Sequence, residues 1–264
     1  MFKRLTGQGL VISHKPGGGG AVVWSAMNDM KGDGNTIVGI NLPHIIIQPA
    51  RGARYKTEEI AAVYLFHYTP NALIVADNSP YDTLADLIKD AKERPRQVRF
   101  SGSGKGTANH LAQVRFDRNA GIETDYRDFK GTGESIAALL SGTVDAAWGY
   151  TTVAMKYKDN VRVLGVAMET RHPNIPEVPT FRELKIDMVD GAYRGVAVPG
   201  NTPEPVRRQV SDLFEKLTKD PALTERKQTL GFVPVDIGYD KIPAFMAERT
   251  AQYRDLAKRA GLIE

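Results

Sequence analysis

An α/β fold is the class this 264-residue sequence predicts. Three observations carry that expectation. Short apolar, β-branched runs alternate with segments of helical periodicity. The runs end at glycine, proline or serine turns. A block of amphipathic helices follows Pro199. The length can bury one large core or two lobes of roughly 100–150 residues each.

Composition narrows the function classes. Apolar residues make up 42% and charged residues 25%, as in an ordinary globular protein. No stretch approaches the roughly 18 continuous apolar residues of a spanning helix. Cysteine is absent, which removes disulfides, thiolate catalysis and cysteine-ligated metals. Lys and Arg number 35 against 31 Asp and Glu, a formal charge of +4. The basic residues are spread among acids, as in Lys92-Glu93-Arg94, so no nucleic-acid partner is expected. A mild attraction for small anions follows from the sign of the charge.

The elements follow in order. Met1 to Gln8 holds two basic residues with no apolar run behind them and does not read as a secretory leader. Leu10-Val11-Ile12 reads as a short strand ending in His14-Lys15-Pro16 and Gly17 to Gly20. Thr36 to Leu42 reads as a buried strand stopped by Pro43. Ile45 to Ile47, between two prolines, fits either state. Ile60 to Leu65 and Ala72 to Ala76 read as two strands. Thr83 to Glu93 is a helix with Leu84, Leu87, Ile88 and Ala91 on one face, stopped by Pro95. Val98 to Phe100 is a strand, and Thr107 to Phe116 the helix after it. Gly131 to Glu134 opens another helix. Val144 to Gly149, Val161 to Met168 and Gly195 to Val198 are strands. Helices are expected at Glu204 to Lys219, Pro221 to Leu230 and Tyr239 to Ala260, with Pro205 tolerated in a first turn. Repeated strand–helix succession predicts largely parallel sheets in two lobes.

The chemistry-bearing segment is Ser101-Gly102-Ser103-Gly104-Lys105-Gly106-Thr107. A phosphate loop would need a further glycine where Arg99 stands, so a nucleotide-dependent enzyme using Gly102 to Thr107 is the weaker reading. A glycine and serine turn at a helix start has free N–H groups and a favourable dipole end for any anion. Ser101, Ser103 and Thr107 add hydroxyls, and a carboxylate is the expected guest; a turn with a capping threonine is the plainer alternative. Asn41 and His44 bracket the end of a buried strand, where ligand sites in open α/β sheets lie. Gly131 offers a second set of amides at a helix start. Trp148 and Tyr150 end another strand, with Trp148 also readable as core. The histidines show no zinc-protease spacing, and no Gly-x-Ser-x-Gly elbow is present. No catalytic residue, metal ligand set or cofactor is therefore assigned.

The order of several segments resembles the Bug or TctC-like family, the substrate-binding receptors of bacterial tripartite tricarboxylate transporters. They are VISHKPGGGG from Val11, SPYDTLADLI from Ser79, VRFSGSGKGTANH from Val98, FKGTGESIAALLSGTVDAAW from Phe129 and YRGVAVPGNTP from Tyr193. The resemblance implies a two-lobed periplasmic-binding-protein fold of type II. Its lobes would be residues 1–76 with 194–264, and residues 77–193. It implies capture of a small organic carboxylate in the interlobe cleft and delivery to integral membrane permease subunits. It assigns Asn41, Ser103, Thr107, Gly131 and the Trp148–Tyr150 loop to that cleft. A periplasmic address is implied too, whereas the residues present at the start carry no leader and taken alone would leave the chain cytoplasmic. Family members have a strand and a Pro/Gly-rich loop before the Val11 segment. The expectation is therefore a fold truncated at the N-terminus, with an exposed strand edge that allows self-association of an otherwise monomeric chain. A remnant that binds weakly or not at all is the alternative function.

Overall fold

The structure, a computed structural model, describes residues 2–15 and 17–264; Met1, and Pro16 at the end of the expected first strand, lie outside the described residues. Its elements are α1 (Phe2–Thr6), α2 (Ala21–Ser25), β1 (Val38–Leu42), α3 (His44–Ile47), β2 (Ala61–Ala76), α4 (Leu84–Glu93), β3 (Arg99–Gly102) and α5 (Ala108–Ala120). There follow β4 (Asp125–Asp128), α6 (Thr132–Leu140), β5 (Ala146–Tyr150), α7 (Thr151–Lys156), β6 (Val161–Val166) and β7 (Gly191–Val198). The chain ends with α8 (Glu204–Thr218), α9 (Pro221–Thr229), β8 (Val233–Ile237) and α10 (Ile242–Arg259).

The long strand β2 organises everything else. Its first half pairs antiparallel with β7 and β8, and β7 pairs with β1, giving a first sheet ordered β1-β7-β2-β8. Its second half, from Asn71, pairs antiparallel with β5 and β6, and β5-β3-β4 continue in parallel. The two strands expected at Ile60 and Ala72 are thus one. Pro70 interrupts the apolar run without ending the strand, because it sits where pairing passes from one sheet to the other and no donor N–H is needed. The expectation of largely parallel sheets is corrected: only β4-β3-β5 is parallel among the named strands. A strand shared by both sheets brings antiparallel neighbours into each.

The expected strand at Val11 does not form. Leu10, Val11 and Ile12 are irregular and exposed, Val11 at 93%. Their β-branched character favours extension, but a strand also needs a partner for its backbone groups. β1 instead ends the first sheet, and the Trp24 indole N–H donates to its Gly39 carbonyl at 2.9 Å. Trp24 is buried against Tyr55, and with α3 and α10 it seals this side of the core.

The second core lies between α4, α5 and the sheet at β3 and β5, with Phe100, Phe116, Trp148 and Phe181 fully buried. α4 starts at a reciprocal cap in which Thr83 and Asp86 satisfy each other's backbone N–H groups. Where the two sheets meet, the Asp190 carboxylate accepts a bond from Arg115 Nη1 at 2.8 Å, and the Asp190 carbonyl accepts one from Asn71 N–H. Burial pushes the Asp190 carboxyl up, and Arg115 pulls it back.

Candidate functional site

Sheet register builds the site. Asn41 of β1 and His67 of β2 both face Arg194 of β7, so the three form one row across the first sheet. Paired residues share a face, which brings their side chains together. Arg194 Nη1 donates to Asn41 Oδ1 at 2.8 Å, and its Nε lies 3.4 Å from Thr69 Oγ1. The guanidinium carbon stands 5.2 Å from the centroid of the Tyr150 ring, which reaches it from β5 of the second sheet. Arg194 is half-buried and forms no ion pair with an acid among the described residues.

This row forms one wall of a cleft of about 880 Å³. Thr132 and Gly133, in the first turn of α6, and Tyr150 with the start of α7 form the facing wall. Gly131 caps α6 without a side-chain bond, so the first amides of the helix face the cleft region uncapped. Gly131 itself is the N-cap residue just before Thr132 and Gly133. Among the described residues no aspartate or glutamate lines the cleft, while Arg194 and Lys156 do. A guanidinium and a helix start in an acid-free cleft make a pole for anions.

Burial sets the protonation of its polar walls. The Tyr150 phenol is pushed up by desolvation, and Arg194 and Ser103 pull it back. Burial, with Arg194 adding to it, holds the His44 imidazole down at about 3. His67 is likewise held at about 3 by burial, with Arg194 and Lys227 contributing. Both are neutral at ordinary pH. His67 packs its ring 4.1 Å from Phe232, and neither of its ring nitrogens has a hydrogen-bond partner among the described residues.

The residues read from the sequence divide into two groups. Asn41 and Tyr150 line the cleft, Gly131 is the cap just before its lining residues Thr132 and Gly133, and Ser103 acts on the Tyr150 phenol. Four others are placed elsewhere. Trp148 is buried in the core, where its ring packs against Phe116 and Phe181. Ser101 is fully buried and spends its hydroxyl on Ser135 Oγ at 2.8 Å. His44 lies in α3 beneath the glycine turn of Gly18 to Gly20, inside the first core. Thr107 donates to the Gly104 carbonyl at 2.7 Å and caps α5 by accepting from His110 N–H. Ser103 is similarly engaged, donating to Asn109 Oδ1 at 2.6 Å.

The loop of Ser101 to Thr107 is thus closed on itself. It is covered by Gly19, whose φ of 61° and lack of a side chain let it approach Gln48 and Thr107. A Cβ at Gly19 would come within 2.7 Å of Gln48 Nε2 and 3.1 Å of Thr107 Cγ2. Lys105 points out toward Asp128 at 3.9 Å, not into a phosphate cradle. Among the described residues there is no cluster of three metal-ligating side chains, and no helix is long and apolar enough to cross a membrane.

Arg194 is the residue that sequence reasoning missed. Its signal was present as the lone charge in the otherwise apolar run of Gly191 to Val198. His67 and Phe232 were missed too, because their cleft exists only once β2 and β8 are paired.

The family model of the tripartite tricarboxylate transporter family receptor matches residues 1–262. The chain belongs to this receptor family. Its relatives include BugT of Bordetella pertussis, 24% identical over 269 residues, covering 97% of this chain and 80% of BugT. A UPF0065 protein from the gbd 5′ region of Cupriavidus necator is 26% identical over 274 residues, covering 99% and 80%. Among solved structures, the periplasmic binding protein BugD superposes with a TM-score of 0.92 at 22% identity, covering 99% of this chain and 90% of BugD. MatC of Rhodopseudomonas palustris, solved with bound malate, gives 0.88 at 20% identity, covering 97% and 90%. The tripartite tricarboxylate receptor therefore has the two-lobed type II periplasmic-binding fold. The family is one of non-catalytic solute receptors, so the nucleotide-enzyme reading of Gly102 to Thr107 falls away.

Proposed function

We propose that this receptor captures a small organic carboxylate in the cleft between Arg194 and the start of α6, and hands it to the membrane subunits of its transporter in the periplasm. The observation that carries the reading is Arg194: a half-buried guanidinium that, among the described residues, has no acid partner and sits in a cleft lined by no carboxylate side chain. A carboxylate there would receive charge-assisted bonds from the guanidinium on one side and amides of Thr132 and Gly133 on the other. Each lobe supplies one half of the anion's partners, so binding favours the closed arrangement of the two lobes. Solved relatives with adipate, from R. palustris, and with malate are consistent with that chemistry.

The lobe division belongs to the same proposal. The register of β2 and β7 supports residues 1–70 with 191–264 as one lobe and 71–190 as the other, a few residues from the divisions at 76 and 193 read in the sequence. Asn71 and Asp190 would then mark the hinge.

A thermal-shift screen of carboxylates tests the function, because a ligand that binds only the folded chain raises its stability. At least one carboxylate should raise the midpoint in the native chain. Arg194→Ala should weaken that ligand about 10- to 100-fold, the worth of one or two bonds to a charged group. A carboxylate that stabilises both chains equally would refute the assignment of Arg194.

A further inference from the structure

Two buried amides lie where α5 meets the strands of both sheets. Asn109 stands in the first turn of α5, and its side chain is fully buried. Its Oδ1 accepts from the Ser103 hydroxyl at 2.6 Å and from the Ser103 N–H at 3.3 Å. Its Nδ2 donates to Asn71 Oδ1 at 3.1 Å and to the Gly149 carbonyl at 3.4 Å. Both amide hydrogens and both oxygen lone pairs are thus used. A turned amide would set its oxygen against the Gly149 carbonyl, so the orientation is fixed. Asn71 is fully buried as well, and its Nδ2 donates to the Ala108 carbonyl at 3.4 Å. A buried amide adds little net stability after desolvation; what a fully bonded one adds is a single geometry.

The partners of Asn109 surround one residue of the cleft. Asn71 is the cross-strand partner of Tyr150, and Gly149 precedes Tyr150 in β5. Ala108, next to Asn109, forms a small buried cluster with Tyr150 and Ala192 of β7. Against the rise that burial causes, Arg194 and Ser103 both draw the Tyr150 phenol down. Asn71 also marks the passage of β2 between the sheets, where its N–H donates to the Asp190 carbonyl at 3.0 Å. Asn109 itself does not line the cleft.

We propose that Asn109 is a positioning residue for this receptor: it ties the strand crossing at Asn71 to Ser103 and Gly149, and so holds Tyr150 beside Arg194. It touches no ligand and acts through Tyr150. The inference rests on the reading of the cleft as the carboxylate site and names the residue that keeps its aromatic wall in place.

Two measurements on the full chain test this. Hydrogen exchange without any carboxylate compares the native chain with Asn109→Ala. Amides of Ser103 and of Gly149 to Thr151 should exchange at least about tenfold faster in the variant, with α4 unchanged. Equal exchange at Gly149 to Thr151 would overturn the proposal whatever binds. Titration calorimetry with malate and adipate then follows the native chain, Asn109→Ala, Tyr150→Ala and the double variant. Asn109→Ala should weaken the tighter of the two about five- to twentyfold, and less than about twofold where Tyr150 is already alanine. A role that does not pass through Tyr150 would give the same loss in both backgrounds, and that additivity would overturn the proposal. Should Asn109→Ala not fold, Ser103→Ala takes its place, since it cuts one arm and leaves the bonds to Asn71 and Gly149. Its affinity loss should then be recovered in Ser103→Thr, which keeps the hydroxyl; no loss in Ser103→Ala would overturn the proposal. Binding of neither carboxylate to the native chain would count against the carboxylate reading, and the exchange result would still decide the role of Asn109.

Discussion

Arg194 and Thr107 divide the work that the sequence suggests for a single loop. Arg194 keeps its charge unpaired beside Asn41 and Tyr150, while Thr107 uses its hydroxyl on the Gly104 carbonyl and the His110 amide. Thr107→Ala should therefore cost about 1 kcal/mol of stability through the lost cap of α5. Carboxylate affinity should change less than about threefold. Urea unfolding and calorimetry on the same variant separate the two, and a large affinity loss would return Thr107 to the site. Both residues were visible in the sequence, but their roles were not. A glycine and serine turn offers the same hydroxyls whether they face a ligand or one another, and only packing decides. Trp148 was legible in the same limited way: its strand was expected, but the face it occupies depends on Phe116 and Phe181 arriving from distant segments.

At the scale of elements, amphipathic helices were the most readable part. α4, α8 and α10 fall within three residues of their expected limits, because apolar spacing and proline stops mark them locally. β4 and β8 were not expected. Asp125 to Asp128 has no apolar run, and Val233 to Ile237 carries a proline; each is a strand only because a neighbour supplies its ladder. The union of Ile60 and Ala72 into one β2 was hidden by Pro70. The crossing it makes is held by Arg115 on Asp190, whose side chains are 18% and 2% exposed. Arg115→Ala leaves a buried carboxylate uncompensated and should destabilise the chain by about 3–5 kcal/mol. Denaturant midpoints would measure this, and a loss below about 1 kcal/mol would show that the pair does not hold the crossing.

At the scale of the whole molecule, buried bases tie stability to pH. His44 and His67 are held at about 3 and His110 at about 4, each first by burial, against an ordinary value of 6.5. The unfolded chain thus binds more protons below pH 6.5, and stability falls as the pH drops from there toward 4. Asp117, raised to about 6 by burial, acts oppositely, as does Asp190, which burial also pushes up, but these are two groups against four imidazoles, His172 being lowered by burial as well. The melting temperature should decline steadily between pH 6.5 and 4.5, and His44→Leu should flatten that decline. A melting temperature level across this window would contradict the burial of these imidazoles.

The family was legible because motif order and spacing survive along nearly the whole chain, whereas the cleft was not, because its walls come from β1, β2, β7, α6 and α7 at once. The central claim is that a carboxylate sits between Arg194 and the first turn of α6. A crystal structure of the chain with its most stabilising carboxylate tests this most directly. The account predicts carboxylate oxygens within hydrogen-bond distance of the Arg194 guanidinium and of the amides at Thr132 or Gly133. A carboxylate seated instead on the loop of Ser103 to Thr107, out of reach of Arg194, would contradict it.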